Sequence, residues 1–240
     1  PELFEKIVEE AKLEKSLPHA KKRKVSNLIN VSNKSDVLSI KAGSTFKDGE
    51  IVLTNDGRKL EIVSHVKTGE REIVYKVKND ENKYYALKIA KNDSEEVLKS
   101  IGEDKVKYEK LKKLNIDVAD FVENGPEYIV REWIDGTRAD DFIASWVKSG
   151  MPEDSIEIDK LKAMINSLAE KGIYIKGLNR KNIIWDGEKW VIIDSGSIKQ
   201  NLPSKKVFQR YVEKISKRFS KSQNSACLEM KLRAILKGVK

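Results

Sequence analysis

The stretch that decides the fold is residues 178–196, which read LNRKNIIWDGEKWVIIDSG. Two short runs of β-branched and aromatic residues lie on either side of a turn signal at Asp186, a pattern that predicts a hairpin. Asn182 precedes the first strand and Asp194 follows the second, so we expect the two side chains to emerge close together. An amide oxygen and a carboxylate are hard oxygen ligands of the kind that Mg²⁺ binds. Capping of a turn by Asn182 and of a helix by Asp194 is the competing interpretation.

A lysine upstream interrupts an otherwise apolar strand. Residues 84–90 read YYALKIA, with Lys88 as their one charged residue. Burying an ammonium group without a partner is costly, so Lys88 should face an anion. The alternative is a lysine at the edge of a sheet whose head group reaches water.

Hydrophobic periodicity divides the rest of the chain into a β-rich and a helical part. In the first part, the pattern predicts a charged helix over 94–114 and strands over 59–66, 72–78, 84–90, 118–123 and 128–134. In the second part, it predicts helices over 139–147 and 156–171, a β-rich stretch over 173–198 and a mostly helical tail over 204–240. The expected fold class is therefore α+β with two lobes, and ligand sites in such proteins favour the crevice between lobes.

The first 49 residues differ in character from the remainder. Apolar residues at helical spacing predict an amphipathic helix over 3–13, and a basic run follows at 21–24. We interpret residues 1–49 as a helix with a basic linker or arm, 50–134 as the β-rich lobe and 135–240 as a reduced helical lobe. The basic run resembles a nuclear-import signal, although a solvated surface segment is the simpler interpretation.

Composition narrows the classes of function. The net charge of +9 would attract nucleic acid, acidic membranes or nucleotide phosphates, but an aromatic content of 7% disfavours a base-stacking nucleic-acid protein. No apolar run approaches the roughly 20 residues of a membrane span, and we expect no signal peptide. The single cysteine, Cys227, fits a reducing compartment and argues against a cysteine-based metal site.

Four segments resemble, in the same order, motifs of protein kinases. Residues 86–88 resemble the strand-three lysine motif, and 128–136 the strand-five and hinge segment. Residues 178–182 resemble the second half of the catalytic loop, and 194–196 the metal-binding Asp-Phe-Gly. A single match of this kind is weak evidence, but four in order are strong. The resemblance implies a two-lobed protein-kinase-like fold over roughly 51–198.

The resemblance also implies a role for each matched residue. Lys88 would pair with the α- and β-phosphates of ATP, while Asn182 and Asp194 would hold Mg²⁺. Backbone groups of Glu132 and Ile134 would receive the adenine edge. The implied cofactors are therefore ATP and Mg²⁺.

Several positions depart from the family pattern. Arg131 falls at the gatekeeper position, where an arginine is unusual and narrows the back pocket. The phosphate-covering loop has one glycine, Gly69, in place of three, so close backbone approach to phosphates is expected only there. The helix position that should hold a partner for Lys88 aligns with Lys107, and we favour Glu103, one turn earlier, over Glu109.

The gravest departure is in the catalytic loop. The His-Arg-Asp of the family corresponds to residues 175–177, so Gly177 stands where an aspartate orients the substrate hydroxyl and accepts its proton. Such acid–base catalysis typically contributes about 10²–10⁴-fold. Three explanations stay open: a natural pseudokinase, a kinase-like enzyme with altered nucleotide-transfer chemistry, or an inactivated variant of an active enzyme.

The short second half resembles minimal kinase-like effectors and toxins that bacteria deliver into other cells, because no Ala-Pro-Glu segment follows Asp194. The resemblance implies action in the cytoplasm and a protein substrate or partner. The expected function is phosphoryl transfer from ATP to protein hydroxyls, with the catalytic base missing. A pseudokinase that binds a partner is the alternative, and a basic nucleic-acid-binding protein has the least support.

Overall fold

The computed structural model describes residues 37–216 except 153, together with 230, 234 and 235. The predicted helix over 3–13, the basic run at 21–24 and most of the tail beyond 216 therefore lie outside the described residues. Every element below belongs to one compact unit, Leu38–Lys240.

A seven-stranded sheet dominates the first half of the described chain, in the order β1-β2-β3-β4-β5-β7-β6. The strands are β1 (Leu38–Ser39), β2 (Ile51–Leu53), β3 (Lys59–Thr68), β4 (Glu72–Lys78), β5 (Tyr84–Ala90), β6 (Phe121–Asn124) and β7 (Tyr128–Glu132). Neighbouring strands are antiparallel, except that β1 and β2 pair in parallel.

The two faces of this sheet have different characters because successive side chains point to opposite sides. One face packs a core of large apolar residues, which includes Tyr75, Leu87 and Val130. On the other face, the register aligns Lys88 with Val74 and Ile129, and Ala86 with Arg131. The second face therefore carries the buried lysine and arginine that are central to the site.

One helix, α1 (Glu95–Lys113), lies between β5 and β6 in the chain. The second half contains the helices α2 (Ala139–Lys148), α3 (Ile156–Glu170) and α4 (Ser204–Ser216), together with short strands. The short strands are β8 (Thr137–Arg138), β9 (Tyr174–Ile175), β10 (Ile183–Trp185), β11 (Trp190–Ile192) and β12 (Ile198–Lys199). Strands β11, β10 and β8 form one small sheet, and β12 pairs with β9.

A second core joins these helices to the end of α1. Its buried members include Leu111, Ile143, Leu161, Ile192 and Tyr211. The Tyr211 hydroxyl accepts a hydrogen bond from the Ile175 amide at 2.8 Å, which ties α4 to the segment before residue 177. The apolar face of α4 is thus part of this core, with Val207, Tyr211, Val212 and Ile215 buried.

The expected α+β class is confirmed, and most predicted elements occur within one or two residues of their predicted bounds. Two boundaries differ. Strand β6 begins at Phe121 instead of 118, because Val118 forms an isolated bridge with Ile192 on β11. Leu38 and Ser39, which we assigned to the arm, form a sheet strand. Among the described residues, no helix is both long and apolar enough to cross a membrane.

Candidate functional site

Lys88 lies in the middle of β5 and is only 2% exposed. Its Nζ is 3.1 Å from Asp104 Oδ2, 3.4 Å from Asp194 Oδ1 and 3.5 Å from Glu72 Oε1. The lysine thus faces three carboxylates of the protein itself, and the alternative of an edge lysine that reaches water is wrong.

The charge on Lys88 is held by this carboxylate cluster. Burial is the largest influence and lowers the pKa of Lys88, as does the neighbouring positive charge of Arg131. The attraction of Asp194, Asp104 and Glu72 outweighs both, so the pKa of Lys88 lies above its ordinary value. Lys88 is therefore charged at neutral pH although it is buried.

The structure corrects the expected partner of Lys88 on α1. Glu103 points to the surface, where its side chain is 52% exposed and pairs with Lys107 at 3.4 Å. The adjacent Asp104 is buried and reaches Lys88. One residue along a helix turns the side chain by about 100°, which separates the outward glutamate from the inward aspartate.

The predicted hairpin is formed by β10 and β11, which pair in antiparallel fashion. At its open end, the Ile193 amide donates to the Asn182 carbonyl at 3.0 Å. The Asn182 side-chain amide donates to the Gly177 carbonyl at 3.0 Å, which directs its Nδ2 into the loop and leaves Oδ1 available as an acceptor. A short 3₁₀ turn spans Arg180–Asn182, and Asn179, not Asn182, caps it by accepting from the Lys181 amide at 2.9 Å.

Asp194 lies directly after this hairpin, among cations. Burial raises the pKa of Asp194, but Lys88, Arg131 and Lys67 lower it by more, so the carboxyl titrates below its ordinary value of 3.8. Asp194 Oδ2 is 3.8 Å from Lys67 Nζ, and Oδ1 faces Lys88. The carboxylate is ionised at neutral pH and has an oxygen pair suited to a hard cation.

The depressed pKa predicts how stability depends on pH. A carboxyl whose folded pKa lies below its unfolded value stabilises the fold above the unfolded value, and this contribution is lost as the pH falls through the folded value. We expect the free energy of unfolding lost in Asp194→Asn to be largest at about pH 6 and to shrink by about pH 3. Urea denaturation at both pH values measures it. The exposed Asp80→Asn is the control, and a loss for Asp194→Asn that is equal at both pH values would contradict the assignment.

Two adjoining cavities open onto these residues. The polar cavity, of about 850 Å³, has Glu103, Asp104, Lys107, Ser195 and Gly196 in its wall. The apolar cavity, of about 490 Å³, is lined by residues that include Val74, Ala86, Arg131, Ile184 and Ile193. Both share Lys67, Lys88, Asn179, Asn182 and Asp194. The three polar residues singled out from the sequence therefore lie where the two cavities meet.

The remaining predicted contacts divide between these cavities. Glu132 and Ile134 line the apolar cavity, and the Glu132 amide already donates to the Asp120 carbonyl at 2.8 Å. Gly69 instead closes the turn between β3 and β4, where its amide donates to the Glu72 carbonyl at 2.7 Å. Lys67 lines both cavities, whereas Gly69 lines neither of the two, so the close backbone approach expected at Gly69 stays a prediction.

Gly177 packs directly against Gly196. A Cβ atom added to Gly177 would lie 2.5 Å from the Gly196 nitrogen and 2.9 Å from its Cα. A Cβ atom on Gly196 would lie 2.7 Å from the Gly177 nitrogen. These distances are far below carbon contact distances of about 3.5–4.0 Å, so neither position has room for a side chain. The contact joins the loop before β10 to the loop after β11.

The fold and the site together define an α+β protein with a buried lysine–carboxylate cluster at the junction of two cavities. No protein-family model matches the chain, and no curated protein matches it at a significant level.

Proposed function

We propose that this chain is a two-lobed, kinase-like domain that binds a purine nucleoside triphosphate, ATP by resemblance, together with Mg²⁺. The observation that carries the proposal is the convergence of Lys88, Asn182 and Asp194 at the junction of the two cavities. Asn182 and Asp194 lie 94 and 106 positions after Lys88 in the chain, yet all three residues line both cavities. Each cavity has a volume in the range of small-molecule sites.

The two cavities suit the two ends of such a ligand. Apolar side chains on β4, β5 and β10 would enclose a flat base in the apolar cavity, with the chain from Glu132 to Ile134 at its edge. Lys88 would then face the phosphates, because it is charged at neutral pH and lines both cavities. Lys67, at the same junction, would add a second cation.

The oxygen ligands at the junction fit Mg²⁺. Asn182 Oδ1 and the ionised Asp194 are the hard donors that this ion accepts, and Mg²⁺ commonly takes few protein ligands beside phosphates and water. When bound, the ion would neutralise negative charge on the phosphates. The chain's own contribution is to hold Asn182 by its bond to the Gly177 carbonyl and Asp194 by its attraction to Lys88.

The reaction that these groups would serve is transfer of the terminal phosphoryl group of ATP to a protein hydroxyl. The hydroxyl oxygen would bond to the γ-phosphorus while the bond to the ADP oxygen breaks, and the hydroxyl proton would pass to water. Phosphoryl transfer depends mainly on positioning and electrostatic stabilisation, both of which survive without a catalytic base. The absence of a side chain at Gly177 would lower the rate by about 10²–10⁴-fold. The proposed setting is the cytoplasm of a cell into which the protein is delivered, by analogy with minimal bacterial effectors.

A pseudokinase that binds nucleotide and acts through a partner is the second candidate. The contact between Gly177 and Gly196 favours it, because the fold itself leaves no space for a carboxylate base in this loop. The same contact argues against an inactivated variant of an active enzyme.

Thermal unfolding with Mg²⁺ and ATP tests nucleotide binding. We expect ATP at about 100 times its Kd to stabilise the chain by about 2.7 kcal/mol. Lys88→Met and Asp194→Asn should each lose most of this shift, because one removes the cation that faces the phosphates and the other removes a metal ligand. Lys110→Met, at an exposed position of α1, is the control that should keep it.

Labelled ATP then separates the two candidates. Transfer of label from the γ-position to a protein hydroxyl supports the enzyme, and transfer from the α-position supports nucleotidyl chemistry. Binding without any transfer supports the pseudokinase. A chain whose melting temperature is unmoved by ATP with Mg²⁺ would refute both.

A further inference from the structure

The ammonium group of Lys88 is already surrounded by carboxylates of the chain. Its Nζ is 3.1 Å from Asp104, 3.4 Å from Asp194 and 3.5 Å from Glu72. A lysine ammonium has three N–H donors, so three carboxylates match its full donor set. A phosphate oxygen that bonded to Lys88 Nζ would therefore take the place of one of these carboxylates.

Glu72 is the carboxylate of the three that is placed to move. Asp104 lies on α1, its side chain is 10% exposed and it makes the shortest of the three contacts. Asp194 would stay, because the proposed function uses it as a ligand of Mg²⁺. Glu72 is the first residue of β4, directly after the turn that joins β3 to β4, and it makes the longest contact. Exchange of Glu72 for a phosphate thus requires the least rearrangement of the chain.

Glu72 also bridges the two lysines that are proposed to face the phosphates. Its Oε1 is 3.6 Å from Lys67 Nζ and 3.5 Å from Lys88 Nζ. Glu72 lies two residues before Val74, which pairs with Lys88, so its side chain projects from the same face of the sheet. All three charged side chains line the polar cavity. One carboxylate oxygen thus lies between two ammonium groups, where a phosphate oxygen would contact them both.

We infer that the phosphates displace Glu72 from the two lysines, and that its charge makes the site select nucleotides complexed with a divalent cation over metal-free polyphosphates. The inference rests on the proposed function and deepens it, by naming the charge state of the ligand and the residue that selects it. Nucleotide binding exchanges one anion for another at Lys67 and Lys88.

The selection follows from where Glu72 remains after the exchange. Its backbone is fixed, because its carbonyl accepts from the Gly69 amide at 2.7 Å and it pairs with Ala90 across β4 and β5. The displaced carboxylate therefore stays close to the phosphates. Repulsion between like charges grows with the charge of the ligand. Because Mg²⁺ cancels part of the negative charge of a triphosphate, Glu72 disfavours the metal-free ligand more strongly than the complex.

Calorimetric titration of the full chain with ATP, once with excess Mg²⁺ and once with a chelator, tests the inference. We expect metal-free ATP to bind the parent chain at least about tenfold more weakly than ATP with Mg²⁺. Glu72→Gln keeps the shape of the side chain but removes its charge, so metal-free ATP should bind this variant at least about tenfold more tightly than the parent chain. The gain for ATP with Mg²⁺ should be smaller, so the ratio of the two affinities should narrow.

Two controls isolate the charge of Glu72. Glu61→Gln removes an equal charge from the neighbouring strand β3, where Glu61 pairs with Lys78 at 3.1 Å, and it should leave both affinities unchanged. Adenosine has no phosphate and does not compete for the lysines. It should therefore bind the parent chain and Glu72→Gln equally.

The outcomes separate the inference from the proposed function. Equal affinity of the parent chain and Glu72→Gln for metal-free ATP would overturn the inference and leave nucleotide binding intact. Weaker binding by the variant would do the same, because Glu72 would then orient the lysines, and so would a gain shared by adenosine. If the variant fails to fold, the parent chain decides alone, since metal-free ATP that binds as tightly as ATP with Mg²⁺ contradicts the selection. Binding of ATP to neither chain, with or without Mg²⁺, would remove both.

Discussion

Gly177→Ala should destabilise the protein strongly, and Gly177→Asp should destabilise it at least as much without creating phosphotransferase activity. The new Cβ atom would lie 2.5 Å from the backbone nitrogen of Gly196, and backbone atoms cannot rotate away as a side chain does. Overpacking of this kind typically costs about 1–3 kcal/mol, and more when the obstacle is main chain. Urea denaturation measures the loss.

Two further glycine substitutions serve as controls for this effect. Gly196→Ala should cause a comparable loss, because its Cβ atom would lie 2.7 Å from the Gly177 nitrogen. Gly102→Ala should instead raise stability by about 0.5–1 kcal/mol, since Gly102 lies inside α1 with nothing within 4 Å of its added Cβ.

The activity of Gly177→Asp decides between explanations of the missing base. A stable Gly177→Asp that transfers phosphate would mean that the loop opens to admit the aspartate, and the chain would then be an inactivated form of an active enzyme. A destabilised and inactive Gly177→Asp would mean that the contact with Gly196 is a settled feature of this fold. We expect a destabilised and inactive Gly177→Asp, because neither Gly177 nor Gly196 has room for a side chain at their contact.

The parts of the fold that the sequence predicted well are those with strong local patterns. The bounds predicted for strands β4 and β5 are confirmed to the residue, because both runs contain β-branched and aromatic residues and have polar turn residues on either side. The hairpin of β10 and β11 was predicted because a tight turn between two β-branched runs leaves few alternatives. The meeting of Asn182 and Asp194 at its open end follows from antiparallel pairing alone.

Other features depend on contacts between distant segments, which local patterns do not encode. The packing of Gly177 against Gly196 joins two loops whose approach is set by the small sheet between them. Strand β1 has two residues, too few to show a periodicity, and forms only because β2 offers a free edge. The sequence also could not predict that Nε and Nη1 of the buried Arg131 lack a hydrogen-bond partner among the described residues, because this depends on the groups that surround the side chain.

For Asp104, the sequence itself contains a pattern that identifies the residue as buried. The buried positions of α1 are Val97, Ile101, Asp104, Tyr108 and Leu111, a spacing of four, three, four and three residues. That spacing marks one face of a helix, and an aspartate on an apolar face requires a cationic partner. The kinase pattern has a glutamate in this helix and so favours Glu103, whereas the apolar periodicity of α1 favours its neighbour Asp104.

The second large prediction concerns the adjacent acidic residues Glu103 and Asp104. Asp104→Asn should lower the free energy of unfolding by about 3 kcal/mol, because it keeps the shape of the side chain but removes a buried charge that lies 3.1 Å from Lys88. Glu103→Gln should change it by less than about 1 kcal/mol, since Glu103 is 52% exposed and its ion pair with Lys107 lies at the surface. Chemical denaturation of both variants provides the comparison.

A double-mutant cycle then assigns the effect to the pair. The variant that combines Lys88→Met with Asp104→Asn lacks both charges of the pair. Its loss in the free energy of unfolding should therefore be smaller than the sum of the two single losses by more than about 0.5 kcal/mol. The loss in Asp104→Asn should also persist in high salt, because a buried pair is screened much less than a surface pair. Additive losses, or equal effects of Asp104→Asn and Glu103→Gln, would show that Lys88 is held by its other two carboxylates alone. Since the Lys88 head group would face the phosphates in the proposed function, its dependence on Asp104 would make that aspartate the positioning residue of the nucleotide site.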